Sequence, residues 1–194
     1  MPSTLPSAPP GHRARGTNVV YAAQTQVDSP LGPILLARTS KGLAGLWFKD
    51  QKDYPGLLDA PRLDRDALLQ DVVKQLDRYW TAPPGRTPRF DVPLDLIGTP
   101  FQQAVWHALL HILPGQTCSY GHIAQVAGRP QASRAVGAAV GRNPVSIIVP
   151  CHRVVGQSAQ LTGYSGGMHR KIDLLQREGH SVDGQRLNAS TPRS

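Results

Sequence analysis

Apolar side chains along this chain change period near residue 64. Val19 to Val27, Ile34 to Ala37 and Leu43 to Phe48 form short runs of the kind strands use. Asp28-Ser29-Pro30-Leu31-Gly32 and Thr39-Ser40-Lys41-Gly42 separate them. Both are turn sequences, so the runs predict an antiparallel meander. From Asp64 to Trp80 the positions Leu68, Leu69, Val72, Val73, Leu76 and Tyr79 recur at helical spacing, and Pro83-Pro84-Gly85 ends that helix. Phe90 to Leu94 reads as a returning strand. Together these elements predict a small N-terminal α+β domain with an antiparallel sheet over residues 17–96.

Helical spacing dominates the rest of the chain. Thr99-Pro100 is an N-cap followed by proline at the first helical position, and Phe101, Ala104, Val105, Ala108, Leu109 and Ile112 share one apolar face up to Pro114-Gly115. Helices are expected near 120–127, with Gly128 past the end, and near 131–140, closed by Gly141. Two short helices joined by a tight Gly/Pro turn resemble a helix-turn-helix. Ser146 to Val149 is an apolar, β-branched run, read as a buried strand that delivers the chain to Pro150-Cys151-His152. A last helix is expected near 169–178, stopped by Gly179. Residues 97–180 thus read as a mainly α-helical domain. Residues 1–16, with four prolines and no periodicity, read as a disordered tail, and residues 181–194 as a flexible one.

Composition narrows the class. The chain has 194 residues, 40% hydrophobic and 18% charged, enough for a core without disulfide or metal staples. Two cysteines exclude a disulfide scaffold and a four-thiolate zinc site. No apolar run suits a secretory signal or a membrane helix, which points to a cytoplasmic protein. The net charge of +8 is unevenly placed. Residues 17–96 are neutral, with ten basic and ten acidic side chains. Residues 97–179 set seven bases (Arg129, Arg134, Arg142, Arg153, Arg170, Lys171 and Arg177) against Asp173 and Glu178. A neutral half followed by a basic half points to a polyanion meeting the second half.

Cys151 is the candidate nucleophile. It sits beside His152 and Arg153, and cationic or imidazole neighbours favour the reactive thiolate. Lowering a thiol from about 8.5 to about 7 raises the thiolate fraction at neutral pH roughly fifteen-fold. Adjacency in sequence is not contact, since neighbours in an extended segment face opposite ways. Cys118 has no such neighbours.

Pro150-Cys151-His152-Arg153-Val154 resembles the acceptor motif of the O6-alkylguanine-DNA alkyltransferases. Phe101-Gln102-Gln103-Ala104-Val105-Trp106 is similar to that family's opening helix and Thr117-Cys118-Ser119-Tyr120-Gly121 to its tyrosine loop. Arg134-Ala135-Val136-Gly137, Asn143-Pro144 and Gly163-Tyr164-Ser165-Gly166-Gly167 follow in the family's order. The resemblance covers residues 97–179 motif by motif, and the first domain by architecture alone.

The resemblance implies a single-turnover repair reaction. Cys151 would take the alkyl group from O6 of a guanine flipped out of duplex DNA, with O4-alkylthymine a further candidate substrate. His152 would act as base through a water, with Glu178, the only glutamate in the chain, orienting the imidazole. Tyr120 would serve ring N3, Ser165 would bind O6, and Tyr164 would wall the pocket. Backbone carbonyls at Cys151 and Val154 would hold the exocyclic amine. Asn143 would tie the helix-turn-helix to the active-site loop, Lys171 would support that loop, and Arg134 would fill the gap left by the flipped base. No cofactor, metal, membrane or obligate protein partner is implied, and a monomer is expected.

Two departures and two rivals complete the reading. Some relatives hold zinc in the first domain, but residues 1–96 contain His12 and no cysteine. His107 and His111 have metal-compatible spacing without a third ligand. Gly163-Tyr164-Ser165-Gly166-Gly167 also matches the serine-hydrolase elbow, which requires a preceding strand and a downstream acid and histidine in an alternating β/α chain. The other rival is a helix-turn-helix binder that recognises lesions without reacting.

Overall fold

A computed structural model describes residues 19–56 and 58–188. The disordered tail expected over residues 1–16 lies outside the described residues. Strands β1 (Ala23–Val27), β2 (Ile34–Arg38) and β3 (Leu43–Phe48) form the expected antiparallel meander in the order β1-β2-β3. Leu36 pairs with Leu46 and Gln24 with Ala37. The first turn is closed by Ser29, whose hydroxyl accepts from Leu31 N–H and donates to the Gly32 carbonyl. Gly45 is obligatory in β3, because a Cβ there would lie 1.8 Å from the Trp47 ring.

Helix α1 (Ala67–Thr81) is capped by Asp66, which accepts from Leu69 N–H, and buries Leu69, Val72, Leu76 and Tyr79. It covers the sheet face carrying Ile34, Leu36, Leu46 and Phe48. Leu35, Ala37 and Trp47 fill a smaller cluster on the other face, with Tyr21, Tyr54 and Leu58 packed against it.

No strand forms over Phe90 to Leu94. The segment makes one bridge, with Leu43 N–H donating to the Pro93 carbonyl and Asp95 N–H to the Leu43 carbonyl. Pro93 lacks the N–H that a longer ladder needs.

Helix α2 (Pro100–Leu109) carries a capping box between Thr99 and Gln102. It gives way to turns at Leu110, four residues before Pro114. Strand β4 (Cys118–Ser119) leads into α3 (Tyr120–Val126), and α4 (Ser133–Gly141) packs on both α2 and α3. Ser146 to Val149 is a second correction. Instead of a strand it forms tight turns, with Ile147 in the left-handed region at φ 71°. The run is apolar because its residues are enclosed in the core. Only Val145 bridges to Leu46, so this segment covers the free edge of β3.

Cys151–Arg153 make one 3-10 turn, and β5 (Val154–Val155) pairs parallel with β4. Helix α5 (Met168–Arg177) follows. Strands β6 (Val182–Asp183) and β7 (Arg186–Leu187) then form a hairpin, which corrects the expectation of a flexible tail from 181. Val182 and Leu187 pack on Val155, Leu161 and Leu175, an apolar contact too short to show a period. One core runs through both units, from Leu36 and Leu76 to Val105, Trp106, Val149 and Leu174. No helix among the described residues is long and apolar enough to cross a membrane.

Candidate active site

Cys151 lies at the start of the 3-10 turn and is 2% exposed. Asn143, two residues after α4, organises its surroundings. Its Nδ2 donates to Cys151 Sγ at 2.9 Å and to the Val149 carbonyl at 2.8 Å, while Oδ1 accepts from Val145 N–H. Asn143 therefore holds both the turn that replaces the expected strand and the thiol at its end.

Burial pushes the Cys151 thiol up, against the opposing pull of Asn143 and the Lys171 charge. The sequence neighbours His152 and Arg153 do not offset this burial. His152 Nε2 and the Arg153 guanidinium are both bonded to Glu178.

Glu178 caps the C-terminus of α5 and is fully enclosed. His152 Nε2 lies 2.9 Å from its Oε1. Arg153 donates from Nε to Oε2 and from Nη2 to Oε1, both at 2.8 Å, and from Nη1 to the Ile112 carbonyl. The Tyr79 hydroxyl donates to Oε1 at 3.0 Å. Burial opposes ionisation of Glu178, but the hydrogen bonds of His152 and Arg153 and the Arg153 charge outweigh it and hold the carboxyl well below the usual range. The His152 pKa is also lowered, because burial outweighs the pull of Glu178, and this favours neutral imidazole. With Nε2 committed to Glu178, Nδ1 is left buried with no protein partner among the described residues. That nitrogen is placed to accept a proton.

Lys171 is wholly buried. Its ammonium donates to the Val154 carbonyl at 2.6 Å and the Thr162 carbonyl at 3.1 Å. Burial lowers it to about 8, against the pull of Cys151. Val154 O, expected to face a substrate amine, is thus engaged by Lys171 here. Tyr120 opens α3, and its hydroxyl lies 2.9 Å from Thr162 Oγ1, joining the tyrosine loop to the segment before α5. The Tyr164 hydroxyl reaches towards Cys151 and Ser146 without completing a hydrogen bond, and Ser165 Oγ is likewise buried and unpartnered among the described residues.

The structure gathers Asn143, Lys171, Tyr120 and Tyr164 around the thiol, with His152 and Glu178 behind it. Arg134 stands apart, exposed in the first turn of α4. Ser165 follows no strand and touches no histidine, so the hydrolase elbow is not formed. His107 is exposed in the last turn of α2 and His111 in the turn that follows it, each ring Nδ1 against the carbonyl four residues back. No group of metal-ligating side chains is assembled among the described residues.

Sequence reasoning misses three contributors. Arg153 enters it only as a cationic neighbour. Tyr79 reads as a core aromatic, and no local signal marks its hydroxyl. Arg170 joins the units, donating to the Leu31 carbonyl, the Gly166 carbonyl and Asp50 while lying 4.3 Å above the Phe48 ring. Lys52 N–H also donates to the Ser165 carbonyl, so the first unit holds the Gly163–Gly167 loop directly there and, through Arg170, at Gly166.

Comparison with known proteins places this geometry. Residues 21–96 match the family model of the 6-O-methylguanine DNA methyltransferase ribonuclease-like domain, and residues 100–180 that of the corresponding DNA binding domain. The methylated-DNA–protein-cysteine methyltransferase of Mycobacterium leprae is 48% identical over 156 residues, covering 80% of this chain and 92% of the relative. That of Methanosarcina acetivorans is 44% identical over 152 residues, covering 78% and 95%. A crystal structure of Mycobacterium tuberculosis OGT in complex with DNA superposes with a TM-score of 0.72 at 45% identity, covering 81% of this chain and 92% of that one.

Proposed function

The chain belongs to the O6-methylguanine DNA methyltransferase family, and from that membership we propose that it repairs duplex DNA by moving the alkyl group of O6-alkylguanine onto Cys151. One observation carries the reading. The buried cysteine is followed by a histidine whose Nε2 is fixed on an enclosed carboxylate and whose Nδ1 is free.

The thiol proton passes through a water to His152 Nδ1, and Glu178 stabilises the imidazolium that forms. Sγ attacks the alkyl carbon in line as the carbon–O6 bond breaks, and that electron pair stays with the guanine. The Tyr120 hydroxyl gives a proton to ring N3, leaving guanine and a thioether. A thiol held protonated by burial suits this sequence, since proton removal accompanies attack. Ser165 and Tyr164 receive the base, and their unpartnered hydroxyls support that role. The thioether is not turned over, so one equivalent reacts.

The target base must leave the stack to reach a sulfur this enclosed. Exposed Arg134 takes its place in the helix. The small side chains Ala135, Gly137 and Ala138 let α4 approach the minor groove. The positive charge of residues 97–179 holds the phosphates, so binding weakens as salt rises. The protein acts as a cytoplasmic monomer on this reading.

Incubation with O6-benzylguanine followed by intact mass is the test. One benzyl adduct on Cys151 is expected, with none on Cys151→Ala, which still binds duplex DNA. An unmodified wild-type protein overturns the proposal and leaves the lesion-binding alternative. Arg134→Ala should slow repair in duplex DNA more than reaction with the free base. Equal loss on both substrates would remove the finger role.

A further inference from the structure

Tyr79 belongs to α1 in the first unit, 99 residues from the carboxylate its hydroxyl meets. It is fully enclosed, and its ring packs against Trp80 and Phe90 at centroid distances of 5.1 and 5.4 Å. A core aromatic needs no hydroxyl for such packing. We propose that Tyr79 is a positioning residue for alkyl transfer, setting through Glu178 how readily His152 takes up the thiol proton. The proposal rests on the repair reading above and deepens it.

Four donors meet Glu178: Tyr79 Oη, His152 Nε2, and Arg153 Nε and Nη2. Three of these donors share Oε1, which has two lone pairs, while Oε2 accepts from Arg153 Nε alone, so Tyr79 and His152 compete for one oxygen. The Arg153 fork already fixes the carboxylate plane, which leaves an electrostatic part for Tyr79. Its hydroxyl donates to Oε1, the oxygen that His152 also uses. A donor there draws charge from the Nε2 hydrogen bond and makes the imidazolium less favourable. His152 then stays neutral, with Nδ1 free, further into the acid range.

The other groups facing this network act differently. Arg153 lies beside both His152 and Tyr79, and Arg177 lies beside Tyr79. Lys171 loses its proton near 8, on the alkaline side. Tyr164 is neutral there, since burial raises its hydroxyl well above the usual range. His180 is the neighbour that titrates alongside His152, and it faces Glu178, His152 and Arg153. A His180→Gln background removes it from the measurement.

The experiment is the rate of O6-benzylguanine labelling across pH for the full chain and for Tyr79→Phe, with and without His180→Gln. Tyr79→Phe should move the acid limb up by about half to one pH unit, in both backgrounds. The rate above the limb should stay within about twofold. A limb left in place overturns the proposal, whether the rate falls equally at all pH or does not change. Tyr79→Phe still leaves Oε1 two donors, His152 Nε2 and Arg153 Nη2, and an NMR titration of the His152 imidazole in folded protein gives an independent reading. The same upward shift is expected, and no shift overturns the proposal. A wild-type chain that takes up no benzyl group defeats the repair reading, and the NMR titration still decides the effect of Tyr79.

Discussion

The meander of the first unit and the segment from Arg142 to Gly167 both place residues in the core, yet they are held by different forces. In β1 to β3, backbone ladders satisfy the polar groups, and apolar contact with α1 does the rest. Between Arg142 and Gly167 most of the backbone pairs with no regular partner. Asn143, Arg153, Lys171 and Arg170 reach carbonyls that a strand or helix would have satisfied, at Val149, Ile112, Val154 and Gly166. Apolar burial tolerates small displacements because it has no direction. Hydrogen bonds to buried carbonyls fix atoms in place, and losing one partner strands the other. An alkyl acceptor needs the second kind of support at the cysteine and the first kind everywhere else.

Arg153→Met should break that contrast most severely. It keeps much of the side-chain volume but leaves the buried carboxylate of Glu178 without its fork and the Ile112 carbonyl without a donor. Removing one partner of a buried pair costs about 3–5 kcal/mol, read as a lower urea midpoint. The pH dependence comes from the same group. The folded carboxyl of Glu178 is held below its unfolded value, so its contribution is present above about pH 4.3 and is lost as pH falls below that. Arg153→Met should flatten this acid slope. A variant as stable as wild type with the same slope would show that the fork carries no weight.

Leu46→Ala tests the other side. Leu46 is fully buried in β3, and its side chain joins the shared core. Truncation should cost about 3 kcal/mol through lost contact and the cavity left behind. Its backbone still meets Pro144 and Ser146, so the benzylguanine rate of the remaining folded protein should stay within about twofold of wild type. A rate loss matching the stability loss would mean that apolar packing, too, sets the position of the thiol.

The same contrast explains what is legible in the sequence. Periodic burial leaves a pattern, so Leu43–Phe48 and the apolar face of α1 are readable, as is the N-cap at Thr99. Ser146 to Val149 misleads because full enclosure makes a turn look like a strand. The Cys151, His152 and Glu178 constellation is reached through ordered motifs. Their electrostatics are not, since local sequence does not reveal that His152 and Arg153 both bond the buried Glu178. Tyr79 and Arg170 act across the boundary between units, and that distance leaves no local trace.

Asp50→Asn should give the smallest effect and sharpen the comparison most finely. Asp50 is 68% exposed while its partner Arg170 is 6% exposed, so water screens one end of this pair. Arg170 keeps its bonds to the Leu31 and Gly166 carbonyls and its place above Phe48. Stability should fall by less than about 1 kcal/mol. The local consequence differs, because Gly166 adjoins Ser165 and Arg170 then holds that loop with one fewer anchor. Saturation kinetics with free O6-benzylguanine should show the half-saturating concentration rising about two- to threefold, equivalent to roughly 0.5 kcal/mol, with the maximal rate constant unchanged. A fall in the maximal rate instead would place Asp50 upstream of the chemistry. Directional support from the first unit would then extend past the Gly163–Gly167 loop, to the sulfur itself.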